Sequence, residues 1–92
     1  MLGARRKAQL DRVADQINQN NGNALALVGD ACDADYAQAL VDLASSGFGG
    51  LDGAFNNAGI MGDMSSVPDM TLATWQQVIS TNLTAAFLAA RA

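Results

Sequence analysis

The sequence predicts an α/β fold in which parallel strands alternate with helices. Three observations carry that expectation. Two short apolar runs, Ala24–Val28 (ALALV) and Leu51–Asn56 (LDGAFN), have the length of strands buried on both faces. Three longer stretches repeat apolar residues at intervals of three and four, as amphipathic helices do. The two kinds alternate over short connections in the order helix, strand, helix, strand, helix, which favours parallel pairing.

Each element has its own local signal. Lys7 to Gln19 reads as a helix because Leu10, Val13, Ala14 and Ile17 form one apolar stripe. The segment NQNNGN stops it, with Gly22 expected as the left-handed residue after the cap. Ala24–Val28 follows as a strand. The segment GDACDAD is a turn, and Asp33 is a natural N-cap for a helix from Ala34 to about Ser45. Tyr36, Ala37, Leu40, Val41 and Ala44 make its stripe, and SSGFGG is expected to break it. Leu51–Asn56 is the next strand. The glycine- and serine-bearing segment AGIMGDMSSVPD is a loop of the kind that lies over ligands. Thr71 can cap the last helix, Leu72 to about Arg91, whose stripe includes Trp75, Val78, Ile79, Asn82, Leu83 and Phe87.

Composition narrows the function. The 92 residues are 50% hydrophobic and 15% charged, which is globular composition, and they suffice for one small domain. A net charge of −4 argues against nucleic acid or an anionic membrane as partner. There is no histidine, which removes Ser-His-Asp and Cys-His chemistry and the commonest metal ligand; no metal site is expected. The single cysteine, Cys32, cannot form an internal disulfide and reads as a small buried apolar residue rather than a nucleophile, in a reducing, cytoplasmic setting. No run is long enough for a transmembrane helix, and the start lacks the apolar core of a signal peptide.

Polar residues at strand ends point to a site. In open parallel sheets ligands bind beyond the carboxyl ends of the strands. Asp30 stands after the first run, and Asn56 and Asn57 end the second. Burying an unpaired amide costs about 1–3 kcal/mol, so two adjacent asparagines at a strand end suggest the rim of a crevice. Asn82 poses a related question, because an amide on an apolar helix stripe demands a partner.

Four segments, GARR (3–6), GDACD (29–33), NNAG (56–59) and TNLTAAFLAAR (81–91), resemble in order and spacing the short-chain dehydrogenase/reductase family. The resemblance covers essentially the whole chain and implies a partial Rossmann-type, dinucleotide-binding domain over residues 1–92. It maps to an internal part of the family's domain. The family's TGxxxGIG turn would precede Met1 and its YxxxK pair would follow Ala92, so the chain is expected to be an inactive fragment of an NAD(P)-dependent oxidoreductase acting on a carbonyl or alcohol. A non-catalytic, self-associating fragment is the rival expectation.

The resemblance also implies roles. NAD-specific members often carry an acid at the Ala4 position; here Ala4 is followed by Arg5, which implies NADP, with NAD possible, through Arg5 and also Arg6. The bare residues equally allow a solvated basic face. Asp30 and Ala31 would meet the adenine edge, although Asp is also a common turn former. Asn56, Ala58 and Gly59 would lie against the adenosine ribose, the two small residues allowing close approach; a purely structural turn is the alternative. Asn82 would help hold a water in the proton relay, whereas periodicity alone allows an amide that merely bends the helix. In the family's sheet another strand lies between the second and the fourth, so the strands kept here would face a gap or pair directly. The last helix commonly packs against its copy in the family, which implies a homo-oligomer through Leu72–Arg91.

Overall fold

The computed structural model describes residues 1–92 and contains a two-stranded parallel sheet and a set of helices. In chain order these are β1 (Leu2–Ala4), α1 (Lys7–Gln19), β2 (Ala26–Val28), α2 (Ala34–Phe48), a short 3-10 turn (Val67–Asp69), α3 (Leu72–Ile79), a π-turn (Ser80–Thr84) and α4 (Ala85–Arg91). The α/β class with parallel strands holds: β1 pairs with β2 in the register Leu2–Ala26, Gly3–Leu27, Ala4–Val28.

Helix α1 spans the range its stripe predicts, with Leu10 and Ala14 buried. Its end differs from expectation. Asn21, not Gly22, takes the left-handed φ of 66°. The Gly22 N–H reaches back to the Ile17 carbonyl at 2.9 Å, and asparagine tolerates that backbone region well enough to release glycine from it. The strand predicted at Ala24–Val28 is shorter. The Asn18 amide takes both backbone groups of Ala24, donating to its carbonyl at 3.1 Å and accepting from its N–H at 2.7 Å. Ala24 is therefore buried against α1 rather than laddered.

Asp33 caps α2 as expected, accepting from the Asp35 N–H at 2.9 Å. The helix then runs three residues past Ser45. Gly47 sits inside it because a Cβ there would lie 2.5 Å from Leu25 Cδ1, so close packing on the strand side offsets the helix cost of glycine. Gly49, at φ 82°, makes the actual stop. Thr71 caps α3 through the Thr74 N–H at 3.1 Å.

The largest departure is Leu51–Asn56. It forms no strand, makes no backbone hydrogen bond, and leaves Phe55 90% exposed. Strand geometry is realised only beside a partner ladder, and β1 offers its paired edge to β2 alone. The two runs therefore do not pair with each other. Asn56 and Asn57 are likewise exposed, so neither carries a burial cost.

The core is thin. Leu10, Ala14, Ala24, Tyr36, Ala37, Ala44 and Ala85 are its buried members, and five of the seven are alanines. Tyr36 fills the space those alanines leave. Its ring lies so close over Gly29 that a Cβ there would enter it, and its hydroxyl would meet a Cβ on Gly3 at 2.5 Å. The hydroxyl donates to the Leu27 carbonyl at 2.7 Å, tying α2 to β2.

Candidate functional site

Parallel pairing brings the carboxyl ends of β1 and β2 to one side. The Gly29 N–H donates to the Ala4 carbonyl at 3.0 Å and closes the ladder there. The next residues on each chain, Arg5 and Asp30, emerge side by side. Arg5 lies just ahead of α1, whose first turn contains no acid. The first-turn N–H groups of a helix carry positive partial charge and are a ready anion site. Arg6 diverges from this group. It occupies the N-cap position of α1 and lines a separate groove of about 210 Å³ with Leu2, Leu10 and Val13.

Asp30 shapes its own turn. Oδ1 accepts from the Cys32 N–H at 2.9 Å, and the Asp30 carbonyl accepts from the Asp33 N–H at 2.9 Å. That bond to the Cys32 N–H is the main reason its carboxyl titrates below the ordinary value of 3.8; Arg5 adds a smaller pull in the same direction. Ala31 makes no hydrogen bond through its N–H within the chain. A carboxylate and a free N–H thus stand on consecutive residues.

A carboxyl held below its unfolded value adds stability above that value, and the gain disappears as pH falls through the folded pKa. An NMR titration should find Asp30 titrating below 3.8, with the Cys32 amide shifting at the same midpoint. Asp30→Asn keeps an Oδ1 acceptor and should abolish that acid transition without freeing the Cys32 N–H. A Cys32 amide indifferent to pH would contradict the assignment.

The second cluster centres on Asn82, in the π-turn between α3 and α4. Such turns interrupt helices where a side chain has a particular job. The side chain was expected to be buried; it is exposed and satisfied by the loop. Oδ1 accepts from the Ile60 N–H at 2.7 Å, and Nδ2 donates to the Ile60 carbonyl at 2.8 Å. One lone pair on Oδ1 and one N–H on Nδ2 remain for another partner. The clamp fixes the segment directly after Gly59. Gly59 itself has no positive φ, and a Cβ there would meet only Asn82 Oδ1, at an ordinary 3.5 Å. Nothing inside the chain requires a glycine at 59.

Gly62 does have internal reasons. Its φ is 73°, and a Cβ would lie 2.7 Å from Val78 Cγ2, so the loop packs tightly onto α3 here. Asp63 then accepts from the Thr74 hydroxyl at 3.0 Å.

The structure therefore gathers Arg5, Asp30 and Ala31 at one end of the sheet, and Gly59 and Asn82 at the Ile60 clamp. Asn56, Asn57 and Ala58 are exposed and bond to nothing within the chain. Sequence reasoning missed Thr81, whose hydroxyl lies 3.8 Å from Cys32 Sγ and links the two clusters. Its position directly before Asn82 was the only available signal.

Comparison with known proteins identifies the family and the fold. The family model described as short chain dehydrogenase matches residues 1–92. Glucose 1-dehydrogenase 2 of Bacillus subtilis (strain 168) is 39% identical over 82 residues, covering 89% of this chain and 32% of that protein. A short-chain type dehydrogenase/reductase from Mycobacterium marinum superposes with a TM-score of 0.88 at 35% identity, covering 97% of this chain and 36% of the other. L-Sorbose reductase from Gluconobacter frateurii, solved with NADPH and L-sorbose, gives a TM-score of 0.87 at 26% identity, covering 98% of this chain and 35% of that one. The chain spans about a third of the length of these relatives.

Proposed function

The chain belongs to the short-chain dehydrogenase family, and from that premise we propose that residues 1–92 supply the adenosine side of an NADP-binding crevice in an oxidoreductase acting on a carbonyl or alcohol. The bound nicotinamide supplies the hydride chemistry. The residues of this chain fit its other half. Arg5 and the first-turn N–H groups of α1 suit the 2′-phosphate of NADP, with no acid in that first turn to oppose it. Asp30 and the free Ala31 N–H suit the amino donor and ring-nitrogen acceptor of adenine. Asn56 and Ala58 line the approach to the ribose.

The observation that carries the reading is Gly59. Its lack of a side chain answers no strain or crowding inside the chain, as is also true of Gly50 and Gly53, but Gly59 alone of the three adjoins the residue that Asn82 clamps, where close approach by a ligand would use it. Asn82 holds the adjoining Ile60, and its two spare hydrogen-bonding positions suit a water of the proton relay. Arg6 fits less well, because it lines the groove on α1 away from Asp30. The proposed setting is cytoplasmic, where the Cys32 thiol stays reduced. No helix is long and apolar enough to cross a membrane.

Calorimetric titration of NADP and NAD tests this reading. In a full-length family member carrying residues 1–92, Arg5→Ala should weaken NADP binding more than tenfold, the effect of losing a charge-assisted contact of about 1.5–3 kcal/mol, and barely change NAD binding. Equal losses for both cofactors would overturn the assignment of Arg5.

A second reading has its own observation. The chain exposes 6695 Å², about a third more than the roughly 5000 Å² of a compact monomer of its mass. Leu72, Trp75, Leu83 and Phe87, each more than half exposed, contribute to that excess along α3 and α4. A two-fold dimer through Leu72–Arg91 would cover them. Sedimentation equilibrium over a wide concentration range should show a homo-oligomer; a folded monomer at every concentration would refute it.

A further inference from the structure

We propose that Thr81 is a positioning residue which holds the Gly29–Asp33 loop through Cys32, so that two consecutive residues of the π-turn clamp opposite sides of the crevice. The functional consequence rests on the cofactor reading above; the clamp itself does not. Four observations meet at this point. The Thr81 hydroxyl lies 3.8 Å from Cys32 Sγ, a contact distance suited to the larger sulfur atom, and both residues are half-buried. Cys32 is the residue whose N–H binds Asp30 Oδ1, so whatever steadies Cys32 steadies Asp30. Asn82, next in sequence, holds Ile60 by both its amide atoms. Residues 81 and 82 both lie in the π-turn, whose wider winding sends neighbouring side chains in directions a regular helix would not.

The sequence separations show what the arrangement does. Thr81 reaches back 49 positions to Cys32, and Asn82 reaches back 22 to Ile60. The Asp30 turn and the NNAG turn have no hydrogen bond to each other. The π-turn is the element whose side chains bond to both. A thiol–hydroxyl contact is weak by itself. Its leverage comes from location: the Asp33 cap and the Tyr36 ring hold the loop to α2, and the Thr81 contact is the side-chain hydrogen bond that ties it to the π-turn.

Alkylation of Cys32 by iodoacetamide in the 92-residue chain reads the clamp directly, and amide exchange at Cys32 and Asp33 reads the loop. Thr81→Val keeps the shape and removes the hydroxyl. It should raise the alkylation rate and both exchange rates about two- to fivefold, the scale of one weak hydrogen bond, while exchange at Ile60 stays unchanged. Thr81→Ser restores the hydroxyl and should return all rates to those of the parent. Because serine retains the hydroxyl on a smaller side chain, it also separates loss of the bond from loss of packing should the valine variant melt early. Equal rates in parent, valine and serine chains, or serine behaving as valine, would overturn the proposal. Titration with 2′,5′-ADP adds the functional arm. Weaker binding to Thr81→Val than to the parent by a similar factor supports positioning of the loop for ligand; equal binding alongside faster alkylation overturns it. Absence of 2′,5′-ADP binding to the parent counts against the cofactor reading, and the alkylation and exchange rates then decide the clamp alone.

Discussion

Replacing Tyr36 with alanine should cost about 3–5 kcal/mol and leave the chain without a cooperative thermal transition. Tyr36 is the one large side chain besides Leu10 in a core otherwise made of alanine, and it is only 8% exposed. It serves three contacts at once: the seat on Gly29, the seat on Gly3, and the hydrogen bond to the Leu27 carbonyl. Neighbours this small cannot collapse into the space it would leave, so the cavity cost should fall at the upper end. A chain of this length has roughly 5 kcal/mol of stability at the low end of the normal range, and the loss is of that size. Circular dichroism during heating should show a sloping, midpoint-free trace for Tyr36→Ala. Tyr36→Phe, which loses only the hydrogen bond, should lower stability by about 0.5–1.5 kcal/mol and still melt cooperatively. A sharp transition within a few degrees of the parent for the alanine variant would show that the ring does not hold the sheet to α2.

The second large effect is expected at Asn82. In a full-length family member carrying residues 1–92, Asn82→Ala should lower turnover by about a hundredfold while changing cofactor affinity far less. The amide pins Ile60, and Ile60 follows the small residues proposed to face the cofactor. Misplacing a reacting group by about 1 Å through a remote change is enough for a loss of that order. The same substitution removes the partners of the Ile60 N–H and carbonyl, so Ile60 amide exchange should accelerate in the 92-residue chain. Unchanged turnover with only a lower melting temperature would reduce Asn82 to a structural tie.

What could be read from sequence divides by range. The span of helix α1 was legible, because its stripe lies within thirteen consecutive positions and its stop follows directly, though not which residue takes the left-handed turn. The Asp33 and Thr71 caps were legible for the same reason. The end of α2 was not. Gly47 looks like a breaker until Leu25, more than twenty residues earlier, is seen to occupy the space its side chain would need. Leu51–Asn56 has strand composition and no strand, because pairing depends on what stands beside it and not on the run itself. At the site, Asp30 and Asn82 announced themselves as polar groups in unusual places. Their partners did not: Ile60 offers only its backbone, and the π-turn that aims Thr81 and Asn82 has no residue signature.

The alanine-rich core also sets the calorimetry of the chain. Heat capacity and denaturant sensitivity both scale with the surface that unfolding newly exposes. Here the native state already displays Phe55, Met61, Met64, Val67 and the flank of α3 to water. Opening the fold adds comparatively little, so the heat-capacity step should be small for 92 residues and the stability curve shallow. Its broad, flat top gives a chain whose folded fraction changes slowly with temperature or urea, and cold weakens it little. Covering that surface with further polypeptide would steepen the curve and narrow the cooperative transition even with every bond described above left in place.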